Sequence, residues 1–296
     1  MSKIQDLTFD SKKVHQPSKI KIELMEHQKT ILYAMKYLEN NRIVTFKKAS
    51  YNYYNKRRYY YTQSKQQQLN TVTTTVKTNI GILSDRVGAG KTLMIISLIS
   101  SKPKGTNGYI SLNSTVDKSG NFPEVSTVSN EVKVKCNLII VPFKLVPQWK
   151  DAIEKAAPHL NTIVYSTIKH VRTYTKVSDI KNADIILLGS TKAEQFNKYY
   201  DNVLWNRIFI DEADTIKIKT KCRYQTTFLW LVTATPDDLN TRGCSHIRKV
   251  FKGAPYQIVD ALRVFNNKIA PKIIHNTATV ISRPCKVEAI TLLKET

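Results

Sequence analysis

Acidic residues are scarce in this chain. Its 296 residues carry 23 Asp and Glu against 46 Lys and Arg, a formal net charge of +23, and between Asn40 and Ser84 there is no carboxylate side chain at all. An imbalance of that size favours a polyanionic partner, nucleic acid first, over a basic surface that is merely solvated. Long apolar runs are also missing: none approaches the ~20 residues that a bilayer-spanning helix needs, so no membrane partner is expected. Lys3, Asp6 and Asp10 interrupt the N-terminus, which has no apolar core segment and so excludes a secretory signal. The expected location is intracellular, nucleus or cytoplasm. Cysteine is sparse too. Cys136, Cys222, Cys244 and Cys285 show no Cys-x-x-Cys spacing, which excludes a disulfide framework and leaves four reduced thiols. Cys222, Cys244 and His246 fall short of a metal set. The 42% of apolar residues is enough for a large core, as one large domain or two small ones.

What is present is concentrated in residues 80–92, Ile-Gly-Ile-Leu-Ser-Asp-Arg-Val-Gly-Ala-Gly-Lys-Thr. An apolar strand runs into a loop with glycines at 88 and 90 and then into a helix. Polyphosphate is held by a ring of backbone N–H groups and a helix N-terminus, and glycine lets the chain approach the anion without a Cβ clash. Asp85, Arg86, Val87, Gly88, Ala89 and Gly90 form this cradle for ATP. Lys91 supplies a charge to the β- and γ-phosphates, and Thr92 a hydroxyl to Mg2+. The second protein contact of the ion should be a carboxylate at the end of another buried strand. Ile208-Phe209-Ile210-Asp211-Glu212-Ala213-Asp214 provides one in Asp211, with Glu212 beside it to orient or deprotonate water. Taken alone, Asp211 and Glu212 also suit a helix N-cap pair.

Asp85 stands where a general phosphate loop has its first glycine, and Asp-x-x-Gly-x-Gly-Lys-Thr resembles the Swi/Snf-like branch of superfamily 2 helicases and translocases. Further motifs of that family follow in order. Leu24-Met25-Glu26-His27-Gln28 resembles the adenine-reading Q motif, with Gln28 as the reader because an amide offers both a donor and an acceptor. Leu138 to Pro142, then Leu145, Gln148 and Trp149, resembles motif Ia. Ile185 to Thr191 resembles motif Ib, Leu231 to Pro236 motif III, and Trp205-Asn206-Arg207 the branch's run into its Asp-Glu box. The resemblance implies that Asp214, Thr233 and Thr235 couple the nucleotide to the strand-binding surface. It also implies that Pro142, Lys144, Ser190 and Thr191 touch a sugar-phosphate backbone, contacts that position without reading sequence. DNA is expected ahead of RNA.

Short apolar runs alternate with helical patterns. Strands are predicted at 80–84, 136–141, 162–165, 184–188, 207–210 and 228–233, and helices at 91–100, 145–157 and 191–200. The alternation predicts an α/β fold, a RecA-like, mostly parallel sheet flanked by helices. Ser84, Pro142, Ser190, Asp211 and Thr233 each follow or close a strand, so the motifs should meet at the carboxyl edge.

Residues 1–280 are expected to form one ATP-binding lobe with insertions at about 47–78 and 101–135. The first insertion mixes Lys56, Arg57 and Arg58 with Tyr51, Tyr53, Tyr54, Tyr59, Tyr60 and Tyr61, a composition that suits base stacking, but also a solvated insertion or a hairpin whose tyrosines pack on the domain. The second is rich in Ser, Asn, Gly, Lys and Thr and carries no assigned chemistry. Superfamily 2 motors close two lobes on ATP, yet no Gln-x-x-Gly-Arg-x-x-Arg pattern is present. Residues 281–296 therefore read as a connector toward a second lobe, supplied in cis or in trans. The Lys-, Asn- and Ile-rich composition also resembles helicases of large DNA viruses. A GTPase is disfavoured because Asn267-Lys268-Ile269-Ala270 lacks the guanine-reading Asp. A nucleic-acid-binding module with structural or very weak ATPase activity is the second reading.

Overall fold

The computed structural model describes residues 7–8, 10–49, 71–101, 110–111, 132–174, 176–218, 222–239, 245–252 and 257–265. The tyrosine-rich stretch of the first insertion, Cys244, Cys285 and the expected connector lie outside them.

Helix α1 (Glu26–Asn41) buries Ile31, Leu32, Met35 and Leu38 on one face, the spacing that lets an amphipathic helix cover a core. It stops at Arg42, which takes a left-handed conformation (φ 53°) and returns its N–H to Leu38. Strands β1 (Ile43–Ala49) and β2 (Thr71–Lys77) then pair antiparallel from Ile43 opposite Lys77 to Ala49 opposite Thr71. The legs of the first insertion are thus an ordered hairpin that begins earlier than residue 47.

The centre of the molecule is a seven-stranded sheet. Its strands are β3 (Ile80–Leu83), β6 (Asn137–Val141), β7 (Thr162–Tyr165), β8 (Ile185–Gly189), β10 (Arg207–Asp211), β12 (Leu229–Val232) and β13 (Arg263–Val264), in the order β13-β3-β12-β10-β6-β8-β7. Every pairing is parallel. Strands β3, β6, β8, β10 and β12 are buried at every position, which a sheet covered on both faces requires. The helices beside it are α2 (Lys91–Ser100), α3 (Val146–Ala156) and α6 (Ala193–Tyr200), with shorter α4 (Ile168–Thr173), α5 (Val177–Ile180), α7 (Ser245–Val250) and α8 (Gln257–Leu262). A four-stranded side sheet joins β4 (Ile110–Ser111), β11 (Gln225–Thr226), β9 (Val203–Trp205) and β5 (Val132–Lys133). The second insertion therefore contributes two of its own residue pairs to a sheet.

Three side chains fix how α1 meets this core. Glu39 accepts hydrogen bonds from Arg207 Nε (2.6 Å) and Nη2 (2.9 Å) and from Trp230 Nε1 (2.9 Å), while Arg207 Nη1 donates to Asn137 Oδ1 (3.1 Å). The acid and the base are only 4% and 3% exposed. Trp230 also explains a glycine. A Cβ on Gly81 in the neighbouring strand would overlap the six-membered ring of the indole.

Candidate nucleotide and strand-binding site

Strand β3 ends at Leu83 because the chain turns there into the loop 84–90. Gly88 (φ 81°) and Gly90 (φ 82°) take left-handed conformations in it, so both glycines answer a backbone demand. Gly90 answers a second one, since a Cβ there would collide with the Gln28 amide. Helix α2 starts at Lys91, whose Nζ donates to the carbonyls of Asp85 (2.8 Å) and Arg86 (3.1 Å) and draws the loop around its own charge. Burial pulls the Lys91 amine below its usual range, and Asp85, Asp211 and Glu212 oppose that pull. Lys91 thus shares its electrostatic neighbourhood with three carboxylates. Asp85 Oδ1 accepts from the Arg86 N–H (2.9 Å), whereas Oδ2 is buried without a partner among the described residues. Burial pushes this carboxyl above its ordinary range.

Gln28 braces the loop from outside. Its Oε1 accepts from the Met25 N–H (2.9 Å) and its Nε2 donates to the Ala89 carbonyl (3.1 Å), which also lies 3.2 Å from His27 Nε2. The residue is buried, with one amide N–H and one lone pair left over.

Strand β10 delivers the Asp-Glu box one strand away from the loop, because only β12 separates β3 from β10. Asp211 Oδ2 accepts from Trp149 Nε1 (2.8 Å) and Oδ1 from the Glu212 N–H (3.1 Å). Burial raises the Asp211 carboxyl despite these donors. Glu212 has a positive φ of 50°, strain of the kind that gathers at functional sites, and its side chain reaches toward solvent. Burial first, then Asp211 and Asp214, raise its carboxyl too.

Asp214 faces inward. Its Oδ1 accepts from Thr233 Oγ1 (2.6 Å) and its Oδ2 from Thr235 Oγ1 (2.9 Å), while the Thr235 N–H donates to Thr233 Oγ1 (3.0 Å). The backbone laces the same three segments together, with Thr233 N–H on Leu83 O (3.1 Å) and Ala213 N–H on Val232 O (3.0 Å). Buried Asp214 and Thr233, with exposed Thr235, therefore form one joint between the ends of β3, β10 and β12.

The two remaining turns lie on adjacent strands. A 3-10 turn, Phe143–Leu145, follows β6 and Pro142, and another, Ser190–Lys192, follows β8. Lys144 and Thr191 are exposed, Pro142 and Ser190 half-buried. Beside the first turn runs a groove of about 670 Å3, bordered by Phe143, Lys144, Lys150, Ile163, His170 and Tyr174, with no acidic residue in its lining. Sequence reasoning missed Lys150, His170 and Tyr174, which carry no motif. It also gave Trp149 no role, because a contact across 62 positions leaves no local pattern.

The residues suit a magnesium nucleotide. Among the described residues no three His, Cys, Asp or Glu side chains group into a metal cage, whereas a carboxylate and a hydroxyl beside a phosphate loop match an ion that keeps water and takes phosphate oxygens. Each Asp211 oxygen accepts one hydrogen bond and retains a lone pair. Among the described residues, no helix is long and apolar enough to cross a membrane.

Comparison with known proteins gives a consistent picture. A family model described as SNF2-related domain matches residues 27–295. The putative helicase R592 of Acanthamoeba polyphaga mimivirus is 26% identical over 310 residues, covering 83% of this chain and 36% of that protein. DNA repair protein RAD5B of Arabidopsis thaliana is 32% identical over 181 residues, covering 55% of this chain and 14% of the relative. The fold matches the Sulfolobus solfataricus SWI2/SNF2 ATPase core in complex with dsDNA, with a TM-score of 0.53, 16% identity and coverage of 88% of this chain and 48% of that one. The chain thus spans little more than a third, or less, of these curated relatives.

Proposed function

The chain belongs to the SNF2-related domain family, and from that premise we propose that it is the ATP-binding lobe of a nucleic-acid-dependent ATPase that couples hydrolysis to movement on DNA. One observation carries the reading: Lys91, Asp211 and Glu212 converge at the carboxyl ends of β3 and β10 across a single intervening strand. Phosphoryl transfer to water asks for a held γ-phosphate, neutralised charge and an oriented water.

The loop 85–90 and the first turn of α2 hold the polyphosphate, and Lys91 exchanges its two loop carbonyls for phosphate oxygens. Thr92 and Asp211 hold Mg2+, which neutralises charge on the phosphates when bound. Glu212 takes the water's proton, and its raised proton affinity suits that task. Gln28 supports the loop through Ala89 and keeps one donor and one acceptor for adenine. The Asp214, Thr233 and Thr235 joint passes the state of the site to the edge where Pro142, Lys144, Ser190 and Thr191 meet a strand backbone. Residues 1–280 form this lobe and 281–296 connect it to a second one, in cis or in trans, which supplies an arginine to the transition state. An intracellular place of action, nucleus or cytoplasm, goes with this activity.

Mg-ATP at 100 times its dissociation constant should stabilise the fold by roughly 2.7 kcal/mol through mass action. Differential scanning fluorimetry reads this as a rise in melting temperature. Lys91→Ala should abolish the rise, and an identical response in both proteins would refute the assignment.

A further inference from the structure

Trp149 is buried and spends its only donor on Asp211 Oδ2, at 2.8 Å. A buried indole N–H normally finds a partner, and here the partner is the carboxylate that closes the parallel strand β10. The other Asp211 oxygen takes the N–H of Glu212 at 3.1 Å, so the carboxylate plane is held from two directions. Trp149 lies on α3, whose exposed Pro147 and Lys150 line the groove beside the Phe143–Leu145 turn. The helix begins immediately after the Phe143–Leu145 turn. One rigid helix therefore touches both the groove and the box.

We propose that Trp149 is the positioning residue that orients Asp211 for Mg2+, and that α3 makes this hold responsive to a nucleic-acid strand lying in the groove. The inference rests on the nucleotide reading above. Carboxylate ligands of a metal are themselves oriented by hydrogen bonds, and loss of such a partner costs on the order of 10 to 100-fold in metal affinity. The helix offers a short mechanical path, because buried Trp149 and exposed Lys150 are consecutive residues of one helix.

The test uses residues 1–296 and follows the ATP-induced rise in melting temperature as Mg2+ is titrated, with and without a single-stranded oligonucleotide. Trp149→Phe keeps an aromatic ring and removes the donor. The half-maximal Mg2+ concentration should rise by about 10-fold or more, while the smaller rise produced by ATP in EDTA stays unchanged. In an Asp211→Asn background the same substitution should add nothing. The oligonucleotide should lower the half-maximal Mg2+ concentration in the parent protein and have little effect in Trp149→Phe. Equal Mg2+ dependence in the two proteins, equal losses in EDTA and in Mg2+, or an equal oligonucleotide effect would each overturn the proposal. Absence of any ATP response in the parent protein would instead remove the nucleotide reading itself, and this inference with it. Should Trp149→Phe fail to fold, the chain's three tryptophans still give three indole N–H signals by NMR. A single one should move on Asp211→Asn in the absence of metal, and three unmoved signals would refute the hydrogen bond.

Discussion

Replacing Glu39 by Ala should cost this protein a large share of its stability. The carboxylate is 4% exposed and accepts three hydrogen bonds, two from Arg207 and one from Trp230. Removal leaves a buried guanidinium whose remaining side-chain partner among the described residues is the neutral Asn137. Breaking one side of a buried ion pair costs about 3 to 5 kcal/mol, and the orphaned indole N–H adds about 1 to 3. Lys36 suffers as well, since burial already holds its amine below the usual range and Glu39 is the group that attracts it. A total loss of about 4 to 8 kcal/mol stands against a typical domain stability of about 5 to 15. Urea melts followed by tryptophan fluorescence measure it, and at a slope of about 3 kcal/mol/M the midpoint should fall by more than 1 M. Asp151→Ala is the control, because its pair with Lys155 is 59% and 68% exposed and exposed pairs contribute about 0 to 1 kcal/mol. A loss under about 2 kcal/mol for Glu39→Ala would refute the claim that this cluster anchors α1.

Other outcomes follow from the site. Glu212→Gln should retain ATP binding while removing hydrolysis in a protein completed with its second lobe, since the amide keeps the shape but cannot take a proton; phosphate release measures it. The lobe alone should turn over slowly, because arginine contributions to phosphoryl transfer run to about 1,000-fold or more. Binding of a random oligonucleotide should weaken with salt by a log-log slope of about 0.7 to 0.9 per phosphate contact. Lys144→Gln with Lys150→Gln should make that slope shallower in fluorescence anisotropy. Asp85→Asn should stabilise the nucleotide-free fold at pH 7 by removing a buried charge whose Oδ2 has no described partner. Its folded carboxyl is raised, so the native state binds more protons and loses stability as pH climbs through the carboxylate range. The gain from Asn should accordingly vanish below that range, as thermal melts across pH would read.

The central sheet was legible because its strands are short, continuous apolar runs bounded by turn residues, and all six predicted strands occur within one or two residues. Strand ends moved where a functional turn intervened: Ser84 leaves the sheet for the loop, and Asp211 stays in it. A hairpin is one of the readings open for the first insertion, and Thr71 to Lys77, almost wholly β-branched, carries the strand signal for its second leg. The side sheet has strands of only two or three residues and offers no periodicity to read. Within the site, residue types announced the loop and the box, but not how they are held. Gln28 reads as a base-binding amide, and its bond to Ala89 spans 61 positions. Arg207 reads as part of a motif, and its partner lies 168 positions away.

The contact between Gly81 and Trp230 has an evolutionary consequence. Two positions on neighbouring strands share one volume, and the indole that fills it also reaches Glu39. Neither can drift by itself: a side chain acquired at 81 evicts the ring, and a smaller residue at 230 leaves a void beneath the sheet. Across relatives these positions should change as a pair, with a small residue at 230 wherever 81 bears a Cβ, and such lineages must find another partner for the acid on α1.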